Sequence, residues 1–545
     1  MPIPKSNHIL FLLLSFFLLS QETFSQTYNW EWAKTAVGTD PMNEGWKTAI
    51  DSSENLYICG TYYRNISFDS CTLNNHGSCF LVKYDRYGNA IWARSDSIPG
   101  ISVWNSRACG VCTDPKGNIF LCGGFKDTTY FGSHMLVGNS SNANSFLTKY
   151  DSSGNVLWAK SSFDTSRSDV AYSAVSDLNG NVFITGWYSS SISFDTCSLS
   201  GQGSASIFVA KFDSAGNIKW LRGSSGNSSN AYGIDVASDR SGNVYITGSY
   251  DSSTIIFGSY VLSNVNPNSF DEYLAKYDSS GNLLWAQTFG GTGYDEGEGL
   301  ACDQQGNVFR VGILSFPLSA YIEKLDSNGT TIWSKNITGS SAGMVGSYAL
   351  TTDREGSVYA TGGYSSTSVA IDNDTIFNAP PSLTDPLFIV KYDSAGNFRF
   401  ARTLNSGGGD WCGISVANSG SVYLGGGYDE GVFIVGNDTF DLTYGGGEQI
   451  FVAKLAMADV VSVQDPNPPG SETINLFPNP NTGRFHVQLK NLKSIKIYDV
   501  VGNLVYSKSV AEEKFHEIQL NVKSGIYILS ASDGYHEYQR RVVIL

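Results

Sequence analysis

Alternating apolar and polar residues recur in short runs along most of the chain, separated by clusters of Asp, Ser, Gly and Asn. The runs are rich in aromatic and β-branched side chains, which is typical of β-strands bounded by tight turns. Within residues 171–222 four such runs follow one another as AYSAVSD, NVFITGWY, SIFVAKFD and NIKWLR. The pattern therefore predicts a unit of four short strands.

An Asp-x-x-Gly-Asn motif joins the first strand of a unit to the second, and the third to the fourth. Gly supplies a positive φ and Asp closes an Asx-type turn, so both connections are predicted to be tight hairpins. The aspartates of the first hairpin include Asp114, Asp177, Asp239 and Asp303, and those of the second include Asp85, Asp151, Asp213, Asp278 and Asp393.

A lysine before the second hairpin counts the units, because internal repeats of fixed period mark repeat architectures. It occurs at Lys83, Lys149, Lys211, Lys276, Lys324, Lys391 and Lys454. A large aromatic residue follows each hairpin, at Trp92, Trp158, Trp220, Trp285, Trp333 and Phe400, and Trp32 has the same context without a hairpin before it. One equivalent position for all seven aromatic residues indicates structural packing between units.

The last unit stops after FVAKLA (451–456), where its fourth strand should follow, and the strand around Trp32 lacks the three others. A circular array resolves both anomalies. The sequence predicts an all-β protein, a seven-bladed β-propeller with 3+1 strand closure.

Both ends of the chain differ from the repeats. Residues 1–26 carry an apolar run after Lys5 and are expected to be a signal peptide, too short to span a bilayer. The propeller is expected over 27–457, a Pro- and Ser-containing linker over 458–472, and a small β-sandwich over 473–545. No other segment is apolar enough to be transmembrane.

Composition narrows the function. The net charge of −15 disfavours nucleic acid, whose phosphates attract a basic surface. Nine cysteines include Cys71 and Cys79, which lie in one loop and could bridge, but no pair of CxxC motifs indicates zinc. No metal or other cofactor is expected, and a monomer is expected.

Function is expected on the face that holds the long second-to-third connections, because recognition is commonly built on variable loops of a rigid scaffold. Five aromatic residues break the repeat in or beside these loops and could stack on sugar rings or anchor a protein. The alternative, which the repeat context favours, is that they fill gaps between loops. The candidates are Trp104, Tyr130, Trp187, Tyr294 and Trp411.

Catalytic patterns are weak. The repeats contain only two histidines, His76 and His134, and no GxSxG nucleophile motif. Carboxylate pairs such as Asp295 with Glu296 and Glu298, or Asp429 with Glu430, suit a glycosidase only at the right separation, which sequence does not give. No catalytic residue is assigned, and a binding role is favoured over catalysis.

Two resemblances add to this. Residues 285–313 follow the W, GG-x-G-x-D, G-x-A-x-D and GN-V-Y-x-x-G pattern of the SBBP family of bacterial β-propeller repeats, and looser copies cover about 29–456. That resemblance implies an architecture and no shared catalytic residues.

The C-terminal residues resemble the type A sorting domain of the type IX secretion system of Bacteroidetes. The matching segments are LFPNPNTGRFH (476–486), IKIYDVVGNLVY (495–506) and SGIYILS (524–530), with sorting-motif residues Phe477, Pro478, Asn479, Pro480 and Gly483. The ending VVIL departs from the family, whose members often finish with a basic residue. The resemblance implies a partnership with the type IX machinery, removal of the tail, and an extracellular or cell-surface location.

The sequence thus predicts an exported propeller that acts as a binding or adhesion module for a glycan or a protein. The alternatives are a carbohydrate-active lyase or hydrolase that uses the same face, and a passive structural component of the surface.

Overall fold

The computed structural model describes residues 28–457 and 475–544 with short interruptions, the longest at 98–104, 378–385, 405–411 and 442–448. The proposed signal peptide and linker lie outside the described residues. Contacts divide the chain into two units, of which Tyr28–Ala456 is the larger. In the part of the chain that is described, no helix has the length and apolarity needed to cross a membrane.

The larger unit contains seven antiparallel sheets, each built on four strands paired in the order first, second, third, fourth. In chain order the strands are Glu44–Ile50, Leu56–Tyr62, Ser78–Tyr84 and Ala90–Ser95 (sheet 1); Ser106–Thr113, Ile119–Phe125, Asn144–Tyr150 and Val156–Ser161 (sheet 2); Asp169–Ser176, Val182–Tyr188, Ser206–Phe212 and Ile218–Gly223 (sheet 3); Ala231–Ser238, Val244–Tyr250, Asp271–Tyr277 and Leu283–Phe289 (sheet 4); Asp295–Cys302, Val308–Ser315, Leu318–Leu325 and Thr331–Gly339 (sheet 5); Val345–Thr352, Val358–Tyr364, Leu387–Tyr392 and Phe398–Leu404 (sheet 6); and Cys412–Val416, Val422–Tyr428, Gln449–Met457 and Tyr28–Thr35 (sheet 7).

Sheet 7 takes its fourth strand, Tyr28–Thr35, from the other end of the unit. The backbone N–H of Ala36, just beyond that strand, donates to the carbonyl of Ile450 at 2.9 Å. The first strands of the seven sheets pack side by side in sequence, and the first strand of sheet 7 packs against that of sheet 1.

Second and third strands are buried on both faces because neighbouring sheets cover them, which explains runs such as VYITGSY and SIFVAKF in which every residue is buried. Fourth strands are less buried and mix exposed, half-buried and buried positions, as in IKWLRG. The hydrophobic core therefore lies between adjacent sheets.

The repeated lysine and tryptophan face each other across the third and fourth strands, as Lys211 does Trp220. Both donate to one backbone carbonyl in the second hairpin of the next sheet: Lys211 Nζ lies 2.9 Å and Trp220 Nε1 3.2 Å from the oxygen of Ser279. The indole ring packs on the hairpin glycine, Gly281, whose φ is +82°. The arrangement ties each sheet to the one after it.

The same tryptophan hydrogen bond occurs at Trp32, Trp92, Trp158, Trp220, Trp285 and Trp333. The seventh position, Phe400, differs because sheet 7 has no hairpin between its third and fourth strands, and so offers no such carbonyl. There Lys391 donates instead to the hydroxyl of Tyr28 at 3.2 Å, and the Tyr28 and Phe400 rings lie 4.4 Å apart. An aromatic residue without an N–H fits this junction.

The aspartates that open the two hairpins, here called the hairpin aspartates, accept backbone N–H groups of the turn. Asp213, for example, accepts from Ala215 at 3.0 Å and Asn217 at 2.9 Å. This is the Asx geometry that the motif predicts.

Six sheets carry a short hairpin in the long second-to-third connection, and sheet 5 lacks one among its described residues. The pairs are Ile66–Phe68 with Cys71–Leu73 (joined by Val37–Gly38), Thr128–Phe131 with His134–Val137, Ser191–Phe194 with Cys197–Ser200, Thr254–Phe257 with Tyr260–Ser263, Ser368–Ile371 with Asp374–Phe377, and Val432–Val435 with Asp438–Asp441.

Sheet 5 also carries a buried charge where the other second strands are apolar or small. The Arg310 guanidinium is paired with the carboxylates of Glu272 and Glu323, and lies 3.6 Å from the centre of the Phe289 ring. Ile184 fills the corresponding position in sheet 3.

The C-terminal unit forms one hydrogen-bonded sheet of Asn475–Phe477, Arg484–Asp499, Leu504–Gln519, Gly525–Ser532 and Glu537–Ile544. The strand Arg484–Asp499 runs continuously through FHVQL and SIKIYDV, with register shifts against Leu504–Gln519 between Gln488 and Ser494. The core includes Phe485, Ile497 and Leu529.

Candidate functional site

The first strands of sheets 1–6 each contain a β-bulge at the same place, five residues before the residue that opens the first hairpin. The bulges are seen as register shifts against the second strands. A bulge inserts one extra residue and redirects its side chain. The extra residues are Trp46, Cys109, Tyr172, Ile234, Glu298 and Tyr348.

Five of these bulge residues line one cavity of about 270 Å³, here called the first-strand cavity. Its lining is Trp46, Lys47, Arg107, Cys109, Tyr172, Tyr232, Ile234, Glu296 and Glu298. These residues lie in the first half of their strands, towards the links between sheets and away from the hairpin aspartates. Further along the strands, a cavity of about 130 Å³ is lined by residues from all seven first strands.

An ion pair joins Lys47 of sheet 1, which lines both cavities, to Asp235 of sheet 4, which lines the smaller one. Lys47 Nζ lies 3.3 Å from Asp235 Oδ1, which also accepts from the Ser173 hydroxyl at 2.5 Å. Asp235 Oδ2 accepts the backbone N–H of Leu300 at 2.8 Å. Both oxygens of Asp235 are thus in use, and Lys47 is held to it.

Aromatic rings form much of the wall. The Arg107 guanidinium lies 4.7 Å from the centre of the Trp46 ring. Trp187 donates its indole N–H to the Tyr172 hydroxyl at 3.1 Å and meets Tyr232 edge to face, with ring centres 6.1 Å apart. These contacts hold the rings in place.

Two carboxyl groups on one strand face the cavity with different surroundings. Glu296 accepts from the Tyr294 hydroxyl at 2.7 Å and the Ser249 hydroxyl at 3.0 Å. Glu298 is buried, and its Oε2 has no hydrogen-bond partner among the described residues. Burial, followed by repulsion from the Glu296 carboxylate, holds the pKa of Glu298 well above its usual range.

Two of the five predicted binding aromatics adjoin this cavity. Trp187 and Tyr294 hydrogen-bond to the lining residues Tyr172 and Glu296. Tyr130 is half-buried in the short hairpin of sheet 2 and is away from the lining. Trp104 and Trp411 lie outside the described residues, and a binding role for all five stays a prediction.

The carboxylate candidates separate in the same way. Glu296 and Glu298 line the cavity, whereas Asp295 accepts the backbone N–H of Gly291 at 2.8 Å and is not part of the lining. Asp429 and Glu430 lie outside the described residues, as does His76, and His134 is half-buried in a short hairpin.

Cys71 and Cys79 are free thiols with different surroundings: the Cys71 thiol lies 3.8 Å from the carbonyl of Ala90, and the Cys79 thiol 3.4 Å from Asp96. Among the described residues, no group of three or more Cys, His, Asp or Glu side chains is placed to hold a metal.

Most lining residues could not be found among the irregular residues of the loops, because they lie on the first strands. The sequence feature that marks them is a variable position within the repeat. The column five residues before the first hairpin reads Trp, Cys, Tyr, Ile, Glu, Tyr and Cys across the seven units, while the neighbouring columns are mostly small or β-branched. Such variety at one framework position marks a surface that the fold leaves free to vary.

Over 508 aligned residues the chain is 24% identical to an uncharacterized WD repeat-containing protein of Acanthamoeba polyphaga mimivirus. The match covers 73% of this chain and 36% of that protein. The chain thus spans about a third of that relative's length.

Solved structures that it resembles include Sqt1 from Chaetomium thermophilum, with a TM-score of 0.40, 9% identity and coverage of 79% of this chain and 100% of the other. They also include the WD40 domain of Neurospora crassa Pan2, with a TM-score of 0.38, 10% identity and coverage of 79% and 96%.

Residues 475–545 match the family described as the secretion system C-terminal sorting domain. This match accounts for the part of the chain that follows the repeats. The protein carries a secretion-system sorting domain at its C-terminal end, which implies export to the cell surface or the extracellular space.

Proposed function

We propose that Tyr28–Ala456 is a closed seven-bladed β-propeller that is exported and binds a glycan in the first-strand cavity. Ring closure is supported by the pairing of Tyr28–Thr35 with Gln449–Met457 and by the packing of the seven first strands. The similarity to a WD repeat-containing protein agrees with a propeller. The SBBP pattern remains a resemblance of the repeat sequence.

The single observation that carries the binding proposal is the lining of this cavity: fixed aromatic rings beside carboxyl, ammonium and guanidinium groups at one end of the first strands. Sugars offer apolar ring faces edged by hydroxyl groups, so they are bound by aromatic stacking together with polar groups. A cavity of about 270 Å³ lies just below the usual range for ligand pockets, roughly 300–1,000 Å³, and suits one sugar residue of a longer chain.

A glycan array probed with the full chain tests this proposal. We expect saturable binding of particular glycans that Tyr232→Ala weakens by about two- to tenfold, since stacking on one ring contributes about 0.5–1.5 kcal/mol. Tyr130→Ala is the matched control, because Tyr130 is an aromatic residue away from the cavity. Loss of binding in both variants, or in neither, would contradict the assignment of the site.

For export we propose that residues 1–26 are a signal peptide and that the C-terminal residues direct passage through the type IX secretion machinery, with cleavage of the tail. The sorting-domain match over 475–545 supports the second part. Deletion of 471–545 should leave the protein inside the cell envelope, as judged by surface labelling and culture-medium fractions. Undiminished appearance outside the cell would disprove the sorting role.

A carbohydrate-active enzyme is the second candidate, favoured by one feature. Glu298 has a raised pKa and so can keep its proton, while Glu296 on the same strand is hydrogen-bonded by hydroxyl groups. A proton donor paired with a carboxylate is the requirement for glycoside hydrolysis. Product analysis after prolonged incubation with each bound glycan separates the two: intact ligand supports binding, and cleavage that Glu298→Gln abolishes supports an enzyme.

A further inference from the structure

The Oε2 atom of Glu298 is buried and has no hydrogen-bond partner among the described residues. The charged groups around it are Glu296, Lys47, Asp235 and Glu272. Lys47, the one cation among them, is held by Asp235 at 3.3 Å. Glu272 is paired with Arg310. Glu298 therefore has no cation of its own among the described residues.

A buried carboxyl oxygen without a hydrogen bond is costly. A partner from outside the chain that satisfies this oxygen would explain why the protein retains it here. The missing partner must donate hydrogen bonds. Because Glu296 stands close enough in the same cavity to raise the pKa of Glu298, a partner that also carries positive charge relieves both the missing hydrogen bond and the repulsion between the two carboxylates.

The aromatic wall points to the same chemistry. Trp46, Tyr172 and Tyr232 line the cavity with the two carboxyl groups. Faces of aromatic rings attract ammonium groups, and the attraction is strongest when water is excluded. Arg107 already lies against the Trp46 ring, at 4.7 Å from its centre. The Tyr232 ring remains on the side of the glutamates, since the Glu296 carboxylate, after burial and Asp251, raises the pKa of the Tyr232 hydroxyl.

Building on the proposed glycan binding, we propose that the first-strand cavity recognises an amino sugar by its free protonated amine, with Glu298 and Glu296 as acceptors and the aromatic wall around the sugar ring. An N-acetylated sugar lacks this charge and carries a bulkier group. The cavity should therefore discriminate between the two forms of one sugar chain.

Proton release is a second consequence. Burial and then the nearby Glu296 carboxylate favour the protonated form of Glu298, whereas an ammonium group beside it favours the carboxylate, so binding of an amine is coupled to release of a proton from Glu298. As pH rises, that proton is easier to remove and affinity for the amine should increase, provided that the amine itself stays protonated. The N-acetylated form should show neither effect.

Isothermal titration calorimetry on the full chain tests this with two probes, a β-1,4-linked glucosamine oligosaccharide and its fully N-acetylated counterpart of equal length. We expect the amine form to bind at least about tenfold more tightly. Heats measured in buffers of different ionisation enthalpy should reveal proton release with the amine form alone.

Glu298→Gln keeps the shape of the side chain and cannot form a carboxylate. It should abolish the preference for the amine form and the proton release. Glu355→Gln, at an exposed hairpin position of sheet 6, is the matched control and should change nothing.

Each outcome decides something. Equal affinity for the two probes, or a preference that survives in Glu298→Gln, overturns this inference and leaves the cavity as a glycan site. If neither probe binds, the amino-sugar inference fails, and the glycan array then decides whether the cavity binds any glycan. A circular dichroism spectrum and melting temperature equal to wild type show that Glu298→Gln is folded.

Discussion

Replacing Trp32 with Ala tests how firmly the fourth strand of sheet 7 is held. The Trp32 side chain is 9% exposed, and its indole N–H donates to the carbonyl of Arg86 at 3.0 Å. The ring packs so closely on Gly88 that a Cβ there would come within 2.8 Å of it. Removing a buried Trp side chain costs about 3–5 kcal/mol.

The lost hydrogen bond adds little, because Lys454 still donates to the carbonyl of Arg86 at 3.3 Å. We therefore expect a loss of about 4 kcal/mol. A unit of about 430 residues has an unfolding entropy of roughly 0.9 kcal/mol/K, so the melting temperature should fall by about 4–5 °C.

Differential scanning calorimetry of the full chain measures this. Trp32→Phe keeps most of the ring and loses the N–H, so it should lower the melting temperature by only about 1–2 °C. Trp220→Ala, at the equivalent position of a sheet whose strands are continuous in the chain, provides the reference. A melting temperature lowered by less than about 1 °C in Trp32→Ala, while Trp220→Ala lowers it by about 4–5 °C, would refute the reasoning. It would show that the Trp32 side chain does not hold the strand Tyr28–Thr35 in sheet 7.

Three further predictions concern the framework. Gly281→Ala should destabilise the protein by more than Gly306→Ala. Both positions have positive φ, which costs an L-residue about 1–2 kcal/mol, but a Cβ at Gly281 would also meet the Trp220 ring at 2.8 Å. Urea denaturation of the two variants measures the difference. Arg310→Leu should lower the free energy of unfolding by about 3–5 kcal/mol in the same assay, because it leaves the buried carboxylates of Glu272 and Glu323 without a cation. Additional replacement of both glutamates by the apolar residues at the equivalent positions of sheet 3 should recover most of this loss. No recovery would mean that the three charges do not act together. Acid should lower the stability of the larger unit through the hairpin aspartates. Although burial opposes ionisation, hydrogen bonds from Asn217 and the turn hold the pKa of Asp213 at about 2. The stabilising contribution of Asp213 is therefore complete above about pH 4 and is lost as pH falls through its pKa in the folded protein. Asp213→Asn should therefore flatten the decline in urea midpoint between about pH 4 and about pH 2, and an unchanged decline would exclude this residue as a cause.

The repeat could be predicted because its signals are local. Gly at the hairpin and a lysine opposite an aromatic residue each constrain only a few neighbouring residues, and they recur in every unit. The missing strand could also be inferred, since Trp32 had the right context and no hairpin.

The candidate site could not be predicted from the same signals, because a β-bulge inside a continuous strand has no turn residue to mark it. Alternation places Glu298 and Glu296 on the same face of a regular strand, but the bulge between Gly297 and Gly299 decides where Glu298 points. Which bulge residues meet across the unit depends on the packing of strands that lie up to about 250 residues apart in the chain, from Trp46 to Glu298.

The pairing of Tyr28–Thr35 with Gln449–Met457 has a consequence for how the protein reaches its final state. More than 400 residues separate the two strands, and bringing the ends of so long a flexible segment together costs about 5 kcal/mol of chain entropy. The last sheet therefore cannot be finished until nearly the whole chain has been synthesised. Until then Tyr28–Thr35 has no partner strand, and its hydrogen-bonding edge stays unpaired.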